Sequence, residues 1–107
     1  MSGLTPALAR YLLAIRDGVE RRVELADRLA VSRPSVTKAV ERLEAMGLVT
    51  EGRGRRLALT AQGDEEARTL AASVEAVERC LVAQGVAPGC ARRLAREGAL
   101  AQPWPVL

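Results

Sequence analysis

Small polar and cationic side chains follow one another along residues 32–38, which read Ser-Arg-Pro-Ser-Val-Thr-Lys. Small side chains let a helix backbone approach the base edges in the major groove of DNA, and Lys or Arg reaches guanine acceptors or phosphate oxygens. The pattern therefore indicates a DNA-reading surface. Its candidate contact residues are Ser32, Arg33, Pro34, Ser35, Thr37 and Lys38.

A second cationic cluster contains Arg53, Arg55 and Arg56, interleaved with two glycines and with no acid after Glu51. A cationic loop beside a reading helix suits the neighbouring phosphates or the minor groove. Any one of these cations is equally well explained as a solvated surface residue. The two clusters together, in this order, favour DNA binding.

The position of the charge supports this interpretation. The chain of 107 residues has a net charge of only +3. Residues 21–56 contain nine Lys or Arg and five Asp or Glu, a net charge of +4, whereas the rest of the chain contains seven and eight, a net charge of −1. The positive excess therefore coincides with the predicted DNA-binding segment.

The composition excludes several classes of function. The chain has no His, which removes Ser-His-Asp and Cys-His catalysis and His-ligated zinc. No nucleophile–base pair, phosphate-binding loop or metal cluster is recognisable, so we do not expect an enzyme. The sequence has no apolar run long enough for a membrane span and no leader pattern, and its two Cys form no disulfide framework, so we expect a cytoplasmic protein.

Helices predominate among the predicted elements. Thr5 and Pro6 begin the first helix, which stops at residues 17–18, and residues 21–23 are expected to form a very short strand. A second helix covers about residues 24–30. Ser32 caps a third helix, which turns Val36, Ala39, Val40 and Leu43 inward and ends at Gly47.

Beyond Gly47 the apolar residues no longer recur with the spacing of a helix and begin to alternate with polar residues, as in a strand. Residues 48–51 and 56–59 predict two strands joined by the turn at 52–55. Thr60 then caps a long helix, a break at 85–89 follows, and residues 90–100 form the last helix. The predicted buried seam of the long helix is Ala67, Leu70, Ala71, Val74, Val77 and Leu81, and the predicted inner face of the last helix is Cys90, Ala91, Leu94 and Ala95.

This order of elements predicts a mostly α fold with a small β-hairpin wing: a winged helix-turn-helix DNA-binding domain over residues 1–59. Residues 60–107 would form a helical dimerisation region with a Pro- and Trp-containing C-terminal tail. The apolar seam of the long helix exceeds what one last helix can cover, which predicts a homodimer. In the tail, Trp104 either docks on a protein surface or belongs to a frayed end.

Residues 23–43 resemble the recognition region of the iron/manganese-dependent repressors of the diphtheria-toxin-repressor type. The segments 59–63 and 5–12 also resemble this family, and 77–81 and 86–101 follow its dimerisation helices more weakly. The helix-turn-helix part is shared with other winged-helix regulators, such as the MarR type. The resemblance implies that the six residues of 32–38 named above touch DNA and that Arg42 contacts a phosphate.

The metal ligands of that family are mostly missing here. The positions that the resemblance assigns to ligands carry Arg10 and Leu13 in the first helix, Val74 in the long helix, and Leu94, Glu97 and Gly98 in the last helix. Only Glu78 and Glu97 remain as possible donors, and two carboxylates are too few for a selective transition-metal site. We therefore expect no regulatory metal and no other cofactor.

Two smaller hypotheses concern single residues. The guanidinium of Arg10 either pairs with Glu97 or Glu78 and replaces the charge of the metal, or is merely exposed. Cys80 and Cys90 form a redox pair or, as we favour, are buried free thiols.

The pattern thus predicts a homodimeric, sequence-specific transcriptional repressor that binds a palindrome in double-stranded DNA and does not bind a membrane. In this hypothesis Arg33, Ser35, Thr37 and Lys38 provide specificity. Arg42 and the three wing arginines provide affinity. The alternative is a winged-helix module that binds a protein instead of DNA. The acidic residues Glu41 and Glu44 on the third helix favour this alternative.

Overall fold

The computed structural model describes the backbone of residues 4–101 and the side chains of residues 4–96. Within that part the chain is mostly helical with one two-stranded antiparallel hairpin, which confirms the predicted fold class. The elements are α1 (Pro6–Arg16), α2 (Arg22–Leu29), α3 (Arg33–Ala45), β1 (Val49–Glu51), a 3₁₀ turn (Arg53–Arg55), β2 (Leu57–Leu59), α4 (Ala61–Ala83) and α5 (Pro88–Ala101).

Helix α1 begins as the sequence predicts, because the Thr5 hydroxyl accepts a hydrogen bond from the Leu8 N–H at 3.2 Å and Pro6 occupies the first turn. Its residues from Leu8 to Ile15 are buried except Arg10. Burial raises the pKa of the Tyr11 phenol above its ordinary value of 10.0. The first helix is therefore the central element of an aliphatic core.

The strand predicted at residues 21–23 is wrong. Arg22 and Val23 form the first turn of α2, and the Leu25 N–H bonds to the Arg21 carbonyl at 3.1 Å. One backbone hydrogen bond to β2 does exist, from the Leu57 N–H to the Glu20 carbonyl at 2.7 Å. Because the chain turns into α2 at once, this segment adds a single bond to the wing rather than a strand.

The hairpin and α4 are joined tightly through Thr60. Its hydroxyl donates to the Gly47 carbonyl at 2.6 Å and accepts from the Gly63 N–H at 3.0 Å, so one side chain both caps α4 and ties it to the end of α3. Gly63 lies so close to the hairpin that a Cβ there would be 1.8 Å from the carbonyl oxygen of Leu48. The direction of α4 is therefore fixed at its first turn.

Helices α4 and α5 pack on each other around small residues. Of the predicted seam of α4, Ala67 and Val74 are buried, while Leu70, Ala71, Val77 and Leu81 are half-buried. On α5, which begins at Pro88, Ala91 and Ala95 are fully buried, but the predicted inner residue Leu94 is 45% exposed. In this contact Ala95 packs with Val74, Val77 and Leu81 of α4, and Leu94 lies outside it.

No helix in residues 4–101 is long and apolar enough to cross a membrane. Trp104 and the prolines of the tail lie outside the described residues, as does the Glu97 side chain.

Candidate nucleic-acid interface

The core fixes one face of α3 and leaves the other free. Val36, Ala39, Val40 and Leu43 are buried, as predicted, and the Leu48 N–H bonds to the Leu43 carbonyl at 3.0 Å where the hairpin begins. The opposite face is exposed at all the candidate residues, namely Ser32, Arg33, Pro34, Ser35, Thr37, Lys38 and Arg42. A helix that enters the major groove must be held firmly by the core on one side and present a polar surface on the other, and α3 meets both conditions.

Hydroxyl groups order the first turn of α3. The Ser32 Oγ accepts from the Ser35 N–H at 3.3 Å and lies 2.8 Å from the Ser35 Oγ. The Thr37 hydroxyl donates to the Arg33 carbonyl at 3.2 Å. Ser32 is therefore a helix cap as well as a candidate contact. The side chains at this end of α3 are short, so they leave the backbone accessible to an approaching ligand.

Three cations lie on the exposed side of α3. Arg33, Lys38 and Arg42 are exposed, and none of them forms an ion pair with an acid in the described part of the chain. Unpaired guanidinium and ammonium groups on one helix attract phosphate without first giving up an internal partner.

The wing presents its three arginines differently. Arg53 forms no ion pair with a described acid, whereas Arg55 Nε lies 3.8 Å from Glu51 Oε1 and Arg56 Nη1 lies 3.4 Å from Glu20 Oε2. All three are exposed, so these pairs are weak and leave donors available. The backbone of the turn is left-handed at Gly54 (φ 66°) and Arg55 (φ 61°) and is closed by a 2.8 Å bond from the Gly52 N–H to the Arg56 carbonyl.

The ion pair between Arg22 and Glu51 was not foreseen from the sequence. It joins the first residue of α2 to the last residue of β1, and both side chains are less exposed than the other wing charges, at 24% and 30%. The pair joins residues 29 positions apart. No local pattern reveals it, and it positions the wing against the helix-turn-helix.

Three of the positions that the repressor resemblance assigns to metal ligands are described in their surroundings. Leu13 and Val74 are buried apolar residues, and Glu78 Oε1 lies 3.5 Å from Arg92 Nε. Among the described residues, no group of three or more His, Cys, Asp or Glu is arranged to hold a metal ion. Of the alternatives for Arg10, a pair with Glu78 is not formed, since Arg10 is exposed and Glu78 faces Arg92. The alternative pair with Glu97 involves a side chain outside the described residues.

Both cysteines are free thiols, as favoured, but the expectation of burial is wrong. Cys80 is exposed and Cys90 is half-buried. Val77 and Leu81 pack against Val74 and Ala95, whereas Cys80 lies outside this cluster and is exposed.

Comparison with known proteins connects this arrangement to regulators. Residues 2–57 match the model of the MarR family. The chain is 41% identical over 76 residues to the transcriptional regulator MntR of Escherichia coli O6:H1, a match that covers 71% of this chain and 49% of the relative. It is 37% identical over 81 residues to the regulator of the same name from Salmonella typhimurium, covering 76% and 52%. The chain thus spans about half the length of the curated relatives it matches.

A solved structure shows the same fold over most of the chain. A hypothetical protein from Sulfolobus solfataricus superimposes with a TM-score of 0.70 and 25% sequence identity, over 94% of this chain and 81% of that chain. The match reaches well beyond residue 57, so the helical region is part of the shared fold.

Proposed function

Because the chain belongs to the MarR family, we propose that it is a DNA-binding transcriptional regulator that reads sequence with α3. The observation that carries the proposal is the exposed face of α3, where Arg33, Lys38 and Arg42 have no acid partner among the described residues while the opposite face lies in the core. The names of the Escherichia coli and Salmonella relatives support the regulatory role.

The contacts divide into two kinds. Arg33, Ser35, Thr37 and Lys38 lie in the N-terminal part of α3, where side chains reach base edges, and they provide sequence preference. Arg42 and the wing residues Arg53, Arg55 and Arg56 provide affinity through phosphates or the minor groove, with a marked dependence on salt. Ser32 and Pro34 shape the start of the helix and lie against the DNA backbone.

The protein acts as a homodimer on a palindromic operator, and as a repressor. Two large apolar side chains on the helical region support self-association: Val82 on α4 is 40% exposed and Leu94 on α5 is 45% exposed. In a two-fold dimer the two recognition helices lie about 34 Å apart, one turn of DNA. Residues 1–59 form the DNA-binding part and residues 60–107 the dimerisation part.

We also propose that the chain, although it resembles regulators of the diphtheria-toxin-repressor type, works without their metal. Buried Leu13 and Val74 and the Arg92-paired Glu78 offer no selective donor set at the positions of the resemblance. DNA affinity should therefore be the same before and after treatment with a chelator, and a strong metal requirement would contradict this part of the proposal.

The test is direct. DNA recovered by selection from a random duplex library should converge on an inverted repeat, and fluorescence anisotropy should show that its affinity falls as salt is raised. Triple replacement of Arg33, Lys38 and Arg42 by Gln should abolish binding, whereas replacement of Arg79, an exposed arginine on α4, should not. Failure to enrich any sequence would overturn the proposal.

The competing function is a winged-helix module that binds a protein. Glu41 and Glu44 on α3 are exposed and form no ion pair with a described residue, which is the observation that favours it. In that case the triple Gln variant would still bind its protein partner, and Glu41→Gln would weaken that binding.

A further inference from the structure

A cleft of about 670 Å³ opens between α1, α4 and α5, and none of the ten candidate DNA contacts lines it. Its apolar floor is formed by Leu13, Ala71 and Val74. Guanidinium groups surround this floor on several elements. They belong to Arg16, Arg28, Arg92, Arg93 and Arg96.

These cations exceed the acids of the cleft, which are Asp17, Glu75 and Glu78. Asp17 Oδ2 is shared by two guanidiniums, with Arg28 Nη2 at 3.0 Å and Arg96 Nη2 at 3.5 Å. Each guanidinium carries five N–H donors, so one carboxylate oxygen cannot accept hydrogen bonds from all the donors of two arginines. Most donors on these two side chains therefore remain available to a ligand.

Two further guanidiniums of the cleft have no carboxylate partner among the described side chains. Arg16, at the end of α1, and Arg93, on α5, form no ion pair within the described part of the chain. Like charges on facing helices repel each other unless something neutralises them. Among the described residues the lining of the cleft therefore carries more positive than negative charge, which a bound anion would neutralise.

We propose that this cleft binds a small molecule that carries phosphate groups. Guanidinium forks match phosphate oxygens in a bidentate manner, and several converging arginines select a multiply charged group over a single carboxylate. The volume is within the ordinary range for small-molecule sites. The apolar floor accepts the uncharged part of the ligand.

The position of the cleft gives such binding a consequence. Arg28 belongs to α2 of the helix-turn-helix and Arg96 to α5, and Asp17 now links them. A phosphate group that displaces Asp17 would join α2 to α5 directly and change the setting of α2 beside α3. An effect on DNA affinity rests on the proposed function, whereas ligand binding does not.

Titration calorimetry of the whole chain with inorganic pyrophosphate, at constant ionic strength and without DNA, tests the inference. Saturable binding with one pyrophosphate per chain is expected. The double variant Arg16→Gln/Arg93→Gln should weaken it at least tenfold, and both side chains are exposed, so the fold is retained. Glu75→Gln removes a like charge from the wall and should tighten binding.

Two controls separate this site from general attraction of anions. Arg79→Gln and Arg68→Gln each remove an exposed arginine of α4 that does not line the cleft. Both should bind pyrophosphate as the unaltered protein does. Absence of saturable binding, or equal losses in the control and cleft variants, would overturn the proposal. Because no DNA is present, neither result depends on whether the protein is a regulator.

Discussion

Arg22 Nη2 lies 2.5 Å from Glu51 Oε2, so the first residue of α2 forms an ion pair with the last residue of β1. The same carboxylate faces Arg55 through its other oxygen, at 3.8 Å. Glu51 thus fixes the base of the wing and orients one of the tip arginines. A group with both roles should affect stability and DNA binding together.

Glu51→Gln should lower the free energy of unfolding by about 0.5–1 kcal/mol, since the pair is partly shielded from solvent but not buried. Urea unfolding followed by circular dichroism measures the change. Glu44→Gln is the matched control, because Glu44 is exposed and has no ion-pair partner in the described chain. An equal loss in the two variants would show that the Arg22 pair does not stabilise the wing.

Gly63→Ala should destabilise the fold by about 1–3 kcal/mol, because the new methyl group would overlap the Leu48 carbonyl oxygen and push α4 away from the hairpin. The control is Gly89→Ala on α5, where a Cβ meets no atom within 4 Å of the described structure. That change should stabilise the helix slightly, by about 0.5–1 kcal/mol. Opposite signs in thermal unfolding are therefore expected for the same chemical substitution.

Lys38→Ala should change which sequences the protein prefers. Lys38 is exposed on α3 and has no described acid partner, so its ammonium group is available to a base edge in the major groove. Selection from a random duplex library, run in parallel on the variant and the unaltered protein, measures the change. A consensus that is identical in the two experiments would remove Lys38 from the reading surface.

Arg55→Ala should weaken binding to all sequences alike and reduce the salt slope by about 1, because a wing arginine meets phosphates rather than bases. Anisotropy titrations on specific and unrelated duplexes at several salt concentrations provide the measurement. The ratio of the two affinities should not change. A lower ratio would assign Arg55 to sequence reading and contradict the division of roles between α3 and the wing.

Leu94→Glu should produce a folded monomer. Leu94 is 45% exposed on α5, so the charge costs little within one chain but would be buried by a partner on that face. Val23→Glu is the matched control, since Val23 is 46% exposed on α2, outside the helical region. Sedimentation equilibrium should show dissociation in the first variant alone; unchanged association in both would place the dimer interface elsewhere.

The residues where the helices begin, and the face of α3 that is buried, could be predicted from the order of amino acids alone. Thr5, Ser32 and Thr60 cap helices as predicted, each by accepting a hydrogen bond from an N–H three residues further on. A helix cap and a 3.6-residue spacing of apolar residues depend only on neighbours along the chain, so they can be recognised before the fold is known. The same holds for the exposure of the candidate residues, which follows from the burial of the opposite face.

The pairing of charges and the covering of apolar residues follow from the three-dimensional arrangement of the helices and the hairpin. Arg22 meets Glu51 and Asp17 meets Arg96 across long stretches of sequence, and Leu94 is exposed although its spacing suggested burial. Ion pairs and coverage depend on where separate elements come to lie, and the periodicity of one element contains no information on its neighbour's position. For that reason the candidate reading surface was visible in the sequence, while the Arg-lined cleft was not.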